Sequence, residues 1–183
     1  MAKNKNRINI ETNSDGVTEI VIAPIDNPKV KKQLKWWLIA WVILGAMMIG
    51  GLVLASTSAE LAFILIYLAF WFFFMMKVWR SYRYRTHGKE RIVFKEEQLV
   101  YIREIGKRGL PRIFPYGDIQ SIEQVDVKRD TFISMINNSA WMIAAEGVQI
   151  KSTYMTVAVG IQLTKNESEK LVSLIKKLLK VKS

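Results

Sequence analysis

Two long apolar segments follow each other near the start of this 183-residue chain, and they constrain its fold more than any other feature. The first covers residues 36–55, and the second covers residues 61–79 with a single internal lysine, Lys77. A helix needs about 20 apolar residues to cross a bilayer core of roughly 30 Å, so each segment is about long enough to span a membrane. Because only residues 56–60 connect the two segments, they are predicted to form a helical hairpin.

Basic residues lie at the outer ends of the hairpin and are absent from the connection between its helices. Cytoplasmic flanks of transmembrane helices are enriched in Lys and Arg, so both termini are predicted to be cytoplasmic. The first segment begins far from the N-terminus and is not closed by a small-residue cleavage pattern. It is therefore interpreted as an uncleaved anchor, and the chain as an integral membrane protein.

Aromatic and basic side chains at the cytoplasmic ends of the helices are predicted to contact lipid headgroups. Trp and Tyr favour the membrane interface, and long basic side chains reach toward it. The predicted interface residues are Trp36, Trp37, Lys77, Trp79, Arg80, Arg83 and Arg85. Two interpretations of the cations remain open. They either set the topology alone or bind anionic lipid, in which case each contributes on the order of 1 kcal/mol.

Small residues in the first segment and aromatic residues in the second are predicted to form helix-packing surfaces. Small residues let helix backbones approach closely in lipid, either within the hairpin or against another membrane protein. The predicted packing or docking residues are Ala46, Gly50, Gly51, Ala55, Phe63, Tyr67, Phe70, Trp71 and Phe74. Neither segment carries an ionisable residue at mid-depth, so a pore or transporter subunit is the weakest of the functional hypotheses.

The remaining chain is predicted to form two soluble segments around the membrane hairpin of residues 29–87. Residues 1–28 alternate polar and apolar side chains on both sides of an Asn-Ser-Asp-Gly turn, which predicts a β-hairpin arm. An isolated two-stranded hairpin is marginal in water, so the arm is expected to pair with residues 88–183 or with another protein's sheet. The pattern leaves that choice open.

Residues 88–183 are predicted to form a small β-barrel or sandwich covered by a C-terminal amphipathic helix. Thr164 and Glu167 have the spacing of a capping box at the start of that helix. The predicted strands cover residues 91–94, 98–104, 112–116, 119–127, 131–136, 141–145, 148–150 and 154–163.

A strand series that ends in one amphipathic helix resembles the pleckstrin-homology (PH)-like fold. With the preceding hairpin, the chain resembles bacterial membrane proteins that carry two transmembrane helices and a PH-like domain. The string Arg112-Ile-Phe-Pro-Tyr-Gly-Asp-Ile-Gln-Ser-Ile122 and the later Gln162-Leu-Thr164 are also similar to the photosystem I assembly protein family of chloroplasts and cyanobacteria. These resemblances imply a bacterial inner-membrane location, a PH-like α+β fold and a scaffold-like role.

Composition argues against several kinds of chemistry. The chain has no cysteine and a single histidine, His87, so thiol catalysis is excluded and a transition-metal site is not expected. Its net charge of +11 is attributed to the Lys and Arg residues that flank the membrane helices, and no nucleic-acid partner is predicted. No catalytic residues, metal or cofactor are predicted.

The expected function is a non-enzymatic accessory, scaffold or assembly subunit of a membrane protein complex. The alternative is a membrane-anchored module that responds to anionic lipid.

Overall fold

The computed structural model describes residues 7–12, 17–125 and 146–182 of the chain. Within them lie three α-helices and two antiparallel β-sheets. In chain order the elements are β1 (Ile8–Thr12), β2 (Thr18–Ile22), α1 (Pro28–Leu54), α2 (Ser58–His87), β3 (Gly88–Phe94), β4 (Gln98–Ile105), β5 (Arg108–Pro115), a 3₁₀ turn (Tyr116–Asp118), β6 (Ile119–Gln124), β7 (Glu146–Ser152), β8 (Thr156–Ile161) and α3 (Lys165–Lys182).

The two apolar segments form α1 and α2, and both helices extend past the apolar runs. Helix α1 starts early because the Asn27 side chain accepts hydrogen bonds from the first free amides and Pro28 suits the first helical position. Helix α2 begins with a capping box in which Thr57 and Glu60 bond each other's backbone amides. This box shortens the connection to residues 55–57. Both helices are long and apolar enough to cross a membrane.

The hairpin is closed by one tight contact near the middle of its helices. The indole Nε1 of Trp41 donates to the Trp71 carbonyl at 3.1 Å, and the indole of Trp71 donates to the Trp41 carbonyl at 2.8 Å. Gly45 lies beneath the Trp71 ring, where an added Cβ would stand 2.2 Å from a ring carbon. Nearer the sheets, Leu34, Leu38 and Val78 form a small buried cluster.

The N-terminal arm belongs to the same sheet as the segment that follows α2. Strand β2 pairs with β3 in antiparallel register, with Ile20 opposite Ile92, in a sheet of order β1-β2-β3-β4-β5. The arm therefore pairs with its own chain, which answers the question that the sequence pattern left open. Because β2 precedes α1 and β3 follows α2, the strands on both sides of the hairpin lie at the same end of it.

Strands β6, β7 and β8 form the second sheet, and α3 packs against it. One buried core joins both sheets and this helix, with Phe94 and Phe114 from the first sheet, Val148 and Val159 from the second, and Leu171 from α3. The α+β class is as predicted. Of the two predicted architectures, the closed barrel is wrong, because the described strands belong to two separate sheets.

The predicted strands agree with the observed ones most closely where apolar residues alternate. The main differences are that β3 begins earlier, directly at the end of α2, and that β5 begins at Arg108, four residues before the predicted strand of residues 112–116. The Thr164–Glu167 capping box is present, with the Thr164 amide 2.8 Å from the Glu167 carboxylate. The predicted strands over residues 131–136 and 141–145 lie outside the described residues.

Candidate functional site

A fully buried carboxylate, Glu90, lies where the end of α2 meets both sheets. Its Oε1 accepts hydrogen bonds from the Tyr84 hydroxyl at 2.9 Å and the Ile161 amide at 2.8 Å. Its Oε2 accepts from the Tyr101 hydroxyl and the Gly160 amide, both at 2.8 Å. Four donors on three segments, α2, β4 and β8, thus surround one carboxylate, which gives this buried polar group the partners that it needs.

Local sequence explains why these groups converge. Glu90, Ile92 and Phe94 alternate along β3 and therefore share its inward face. Across the core, Gly160 is the second-last residue of β8 and has a φ of 82°, a left-handed conformation that aims its amide and the next one at the carboxylate. A Cβ at Gly160 would also meet the Leu163 side chain at 2.4 Å. Glycine is therefore required at this position by both conformation and space.

The last turns of α2 are docked against the sheets through this carboxylate. Tyr84 is 1% exposed, and Ser81 and Arg85 beside it are also buried. Gly88 lets β3 start at once, since a Cβ there would lie 2.3 Å from the Tyr84 carbonyl oxygen. On the other side, the Tyr101 hydroxyl accepts a hydrogen bond from Arg103 Nε at 3.1 Å. Burial, followed by the nearby Glu90 charge, raises the pKa of Tyr101 above its usual value.

An ion-pair network covers the outer face of the same sheet. The Arg91 guanidinium bonds both carboxylate oxygens of Glu19 on β2, with Nη2 to Oε2 at 2.6 Å. Its Nη1 also lies 3.0 Å from Glu104 on β4, and Lys89 lies 3.2 Å from the same carboxylate. The hydrogen bond from Arg91 to Glu19 raises the pKa of the guanidinium, so Arg91 stays charged and links three strands.

Arg7 joins the start of β1 to the loop after β8. Its guanidinium donates to the carbonyls of Ala23, Ile161 and Gln162 at 3.0, 3.1 and 2.9 Å. It also lies 3.4 Å from the capping carboxylate Glu167. Arg7 and Glu90 therefore hold the Gly160–Leu163 loop from both sides.

An apolar groove of about 640 Å³ runs between α1 and α2 on the outside of the hairpin. Its polar residues lie at the end nearer the sheets, where Lys35, Trp79 and Tyr82 form what we call the mouth. Below the mouth the lining is aliphatic and sulfur-containing. It consists of Leu38, Ile39, Val42, Ile43, Met75 and Met76.

The predicted packing or docking residues differ in how far their side chains are exposed. Trp71 takes part in the helix contact, whereas Ala46 and Gly50 are exposed, and Gly50 has nothing within 4 Å of an added Cβ. Exposed aromatic side chains belong to Phe63, Phe70 and Phe74. The partly buried members are Gly51, Ala55 and Tyr67.

The predicted interface residues also divide. Trp36, Trp79, Arg80 and Arg83 are exposed, and Trp37 stacks on Trp41 with ring centroids 4.5 Å apart. Lys77 is exposed and lies 5.3 Å from the centre of the Phe73 ring. Arg85 differs from the others, because it is 6% exposed and its Nε lies 3.5 Å from Ser81 Oγ. Arg85 thus lies away from the surface, beside another buried residue of the same helix.

The residues that sequence reasoning missed are Gly45, Trp41, Glu90, Tyr101, Gly160 and Arg7. A glutamate at an inward position of an alternating strand was an available signal for Glu90. Nothing local separates Gly45 from Gly50, because which glycine faces Trp71 depends on how the helices are rotated. Within the described residues, no group of three or more His, Cys, Asp or Glu side chains could hold a metal ion.

Comparison of the chain with protein-family models, curated proteins and solved structures finds no match.

Proposed function

We propose that this chain is a non-enzymatic accessory, scaffold or assembly subunit of a larger membrane protein complex in a bacterial cytoplasmic membrane. In this proposal the hairpin of α1 and α2 spans the bilayer and docks against other membrane subunits. The two sheets form a PH-like domain that lies on the cytoplasmic side and offers a surface to the same complex. The observation that carries the proposal is the docking of α2 onto the sheets through Glu90.

Exposure of the helices supports the membrane-spanning role. The most apolar windows of α1 and α2 have mean hydropathies of 2.3 and 2.2, yet only 11% and 6% of their residues are buried. The core helix of a water-soluble protein with that composition would be mostly buried. A lipid or protein environment is therefore needed to cover these side chains.

The pairing of β2 with β3 supports a location of both soluble segments on one side of the membrane. A helical hairpin returns the chain to its starting side, and the sheet requires that return. The cations at Lys29, Lys32, Arg80 and Arg83 lie at this end of the hairpin and are exposed. Their position favours the cytoplasmic side.

The Glu90 junction supports a scaffolding role because it fixes how the sheets sit on the hairpin. A flexible tether would need few contacts between α2 and the domain. Here Tyr84 is buried and bonded to a carboxylate that also bonds Tyr101 and the backbone at the end of β8. A partner bound to both the membrane helices and the sheets would meet one rigid surface.

Purification from native membranes tests the accessory role. The chain, carrying an affinity tag and extracted in mild detergent, is expected to co-purify with at least one other integral membrane protein. Phe70→Ala removes an aromatic ring that is 64% exposed on α2 and is expected to reduce that recovery. The matched control is Leu110→Ala, which removes an 86% exposed apolar side chain from β5. Recovery of the chain alone at monomer mass would contradict the proposal.

A second candidate function, a module that responds to anionic lipid, is favoured by the turn between β4 and β5. The Gly106 amide donates to the His87 carbonyl at 2.8 Å, so the exposed Lys107 and Arg108 lie beside the end of α2. Together with Arg80 and Arg83 they concentrate positive charge near the membrane end of the sheets. The affinity of the reconstituted protein's cytoplasmic face for anionic vesicles is expected to fall when Lys107 and Arg108 are both replaced by Gln. Equal affinity for neutral and anionic vesicles would exclude this function.

A further inference from the structure

We propose that the groove between α1 and α2 is a binding site for one anionic phospholipid of the cytoplasmic leaflet. An acyl chain would occupy its apolar length, and Lys35 would bind the headgroup phosphate. The inference rests on the membrane insertion proposed above, and it does not depend on the accessory role.

The distribution of polar groups along the groove matches a molecule with one charged end. Lys35 and Tyr82 supply an ammonium and a hydroxyl at the mouth, with the Trp79 indole beside them. Every lining residue below the mouth is apolar. A partner's membrane helix would match the apolar length as well, but it would need an acidic residue at the interface to match Lys35.

The charge at the mouth is available to a ligand. Lys31, one turn earlier, is paired with Asp26 at 2.9 Å, whereas Lys35 forms no ion pair within the described part of the chain. The mouth carries no acidic residue among its lining side chains. A phosphate near the membrane surface would therefore meet an uncompensated cation and a hydroxyl donor.

The length of the groove along α1 is close to the thickness of one leaflet of the bilayer core. From Lys35 to Ile43 the lining extends about 12 Å along α1, at a rise of about 1.5 Å per residue. Half of a bilayer core is about 15 Å thick, so the groove would accept most of an acyl chain whose phosphate stays at the interface. Met75 and Met76 suit such a ligand because unbranched thioether side chains adapt to an irregular shape.

Native mass spectrometry of the full chain tests this site with two variants. The protein is inserted into nanodiscs that contain equal amounts of phosphatidylglycerol and phosphatidylcholine, then released, and the retained lipids are counted. Wild type is expected to retain one phosphatidylglycerol preferentially. Lys35→Gln is expected to lower that preference about fivefold. Ile39→Trp, which fills the groove, is expected to reduce retention of both lipids.

Matched controls separate the groove from general effects. Lys32→Gln removes an exposed lysine of α1 outside the groove, and Ile49→Trp enlarges an exposed apolar residue outside it. Both controls are expected to retain lipid as wild type does. Equal loss in the controls, or no loss in Lys35→Gln and Ile39→Trp, would overturn the lipid site. If the two groove variants keep lipid but lose a co-purifying membrane protein, the groove binds a protein helix instead. If wild type fails to enter nanodiscs, membrane insertion itself is wrong.

Discussion

The two halves of α2 have the same helical backbone and opposite surroundings. In the first half, Phe63, Phe70 and Phe72 expose more than half of their surface. In the last turns, Ser81, Tyr84 and Arg85 are buried, and Tyr84 bonds Glu90 of β3. Apolar side chains are thus exposed and polar ones are buried, which reverses the arrangement in a water-soluble protein.

The reversal shows how each half is held. The exposed half contacts α1 through the two hydrogen bonds between Trp41 and Trp71 and through the close approach of Gly45 to the Trp71 ring. The buried half depends on hydrogen bonds to a carboxylate that lies in the protein core. Changes in the first half should alter how the helices associate, and changes in the second half should alter how the sheets sit on the hairpin.

Glu90→Gln is expected to have the largest effect on the buried half. An amide would place an NH₂ group against donors that now bond a carboxylate oxygen, at a cost of about 3 kcal/mol in the free energy of unfolding. Denaturant unfolding in detergent, followed by the circular dichroism of the sheets, measures this change. The control is Glu97→Gln at an exposed turn position. A Glu90→Gln protein as stable as wild type would show that the buried network is not what stabilises the junction.

Gly45→Ala tests the exposed half of the comparison. The added methyl group would lie 2.2 Å from Trp71, so the helices must separate locally, at a cost of about 2 kcal/mol. Unfolding in a graded mixture of mild detergent and dodecyl sulfate, followed by tryptophan fluorescence, reports this contact. Gly50→Ala is the matched control, since nothing lies within 4 Å of its added Cβ. Equal effects of the two substitutions would place the helix contact elsewhere.

Alkaline pH is expected to weaken the buried half through Tyr101. Because burial raises its pKa above the unfolded value of about 10, its contribution is complete below that pH and is lost as the pH rises further. The loss attributable to this group is expected to be on the order of 1 kcal/mol at a pH of about 11. Stability measured from neutral to alkaline pH should therefore fall less in Tyr101→Phe than in wild type. Parallel curves for the two proteins would contradict the assignment.

Arg91→Gln should have the smallest effect, since its ion pairs lie on the partly exposed outer face of the sheet. Its side chain is 32% exposed, so loss of the pairs with Glu19 and Glu104 should cost about 1 kcal/mol or less. Salt should shrink the difference from wild type. Denaturation midpoints at low and high salt measure both effects, with Arg112→Gln on exposed β5 as control. A large effect that persists in high salt would show that this network, too, is part of the core.

Local patterns in the sequence predicted the local parts of the fold. The length of the two apolar segments predicted the hairpin, and the spacing of Thr164 and Glu167 predicted the start of α3. The Glu90 site depends instead on pairings between distant segments, since Gly160 and Glu90 are 70 residues apart in the chain. Alternation along β3 places Glu90 inside, but only the packing of the two sheets decides which donors meet it. The role of Gly45 could not be predicted for the same reason, because it depends on the rotation of α1 against α2.

The most direct test of the account measures whether the sheets are fixed on the hairpin. The chain has no native cysteine, so spin labels attached at Lys32→Cys on α1 and Glu123→Cys on β6 report a single distance in nanodiscs. Wild type is expected to give one narrow distance distribution, and Tyr84→Phe a broader one, because that substitution removes the hydroxyl through which α2 bonds Glu90. A broad distribution in the protein with an intact junction would contradict a fixed domain and, with it, the scaffolding role.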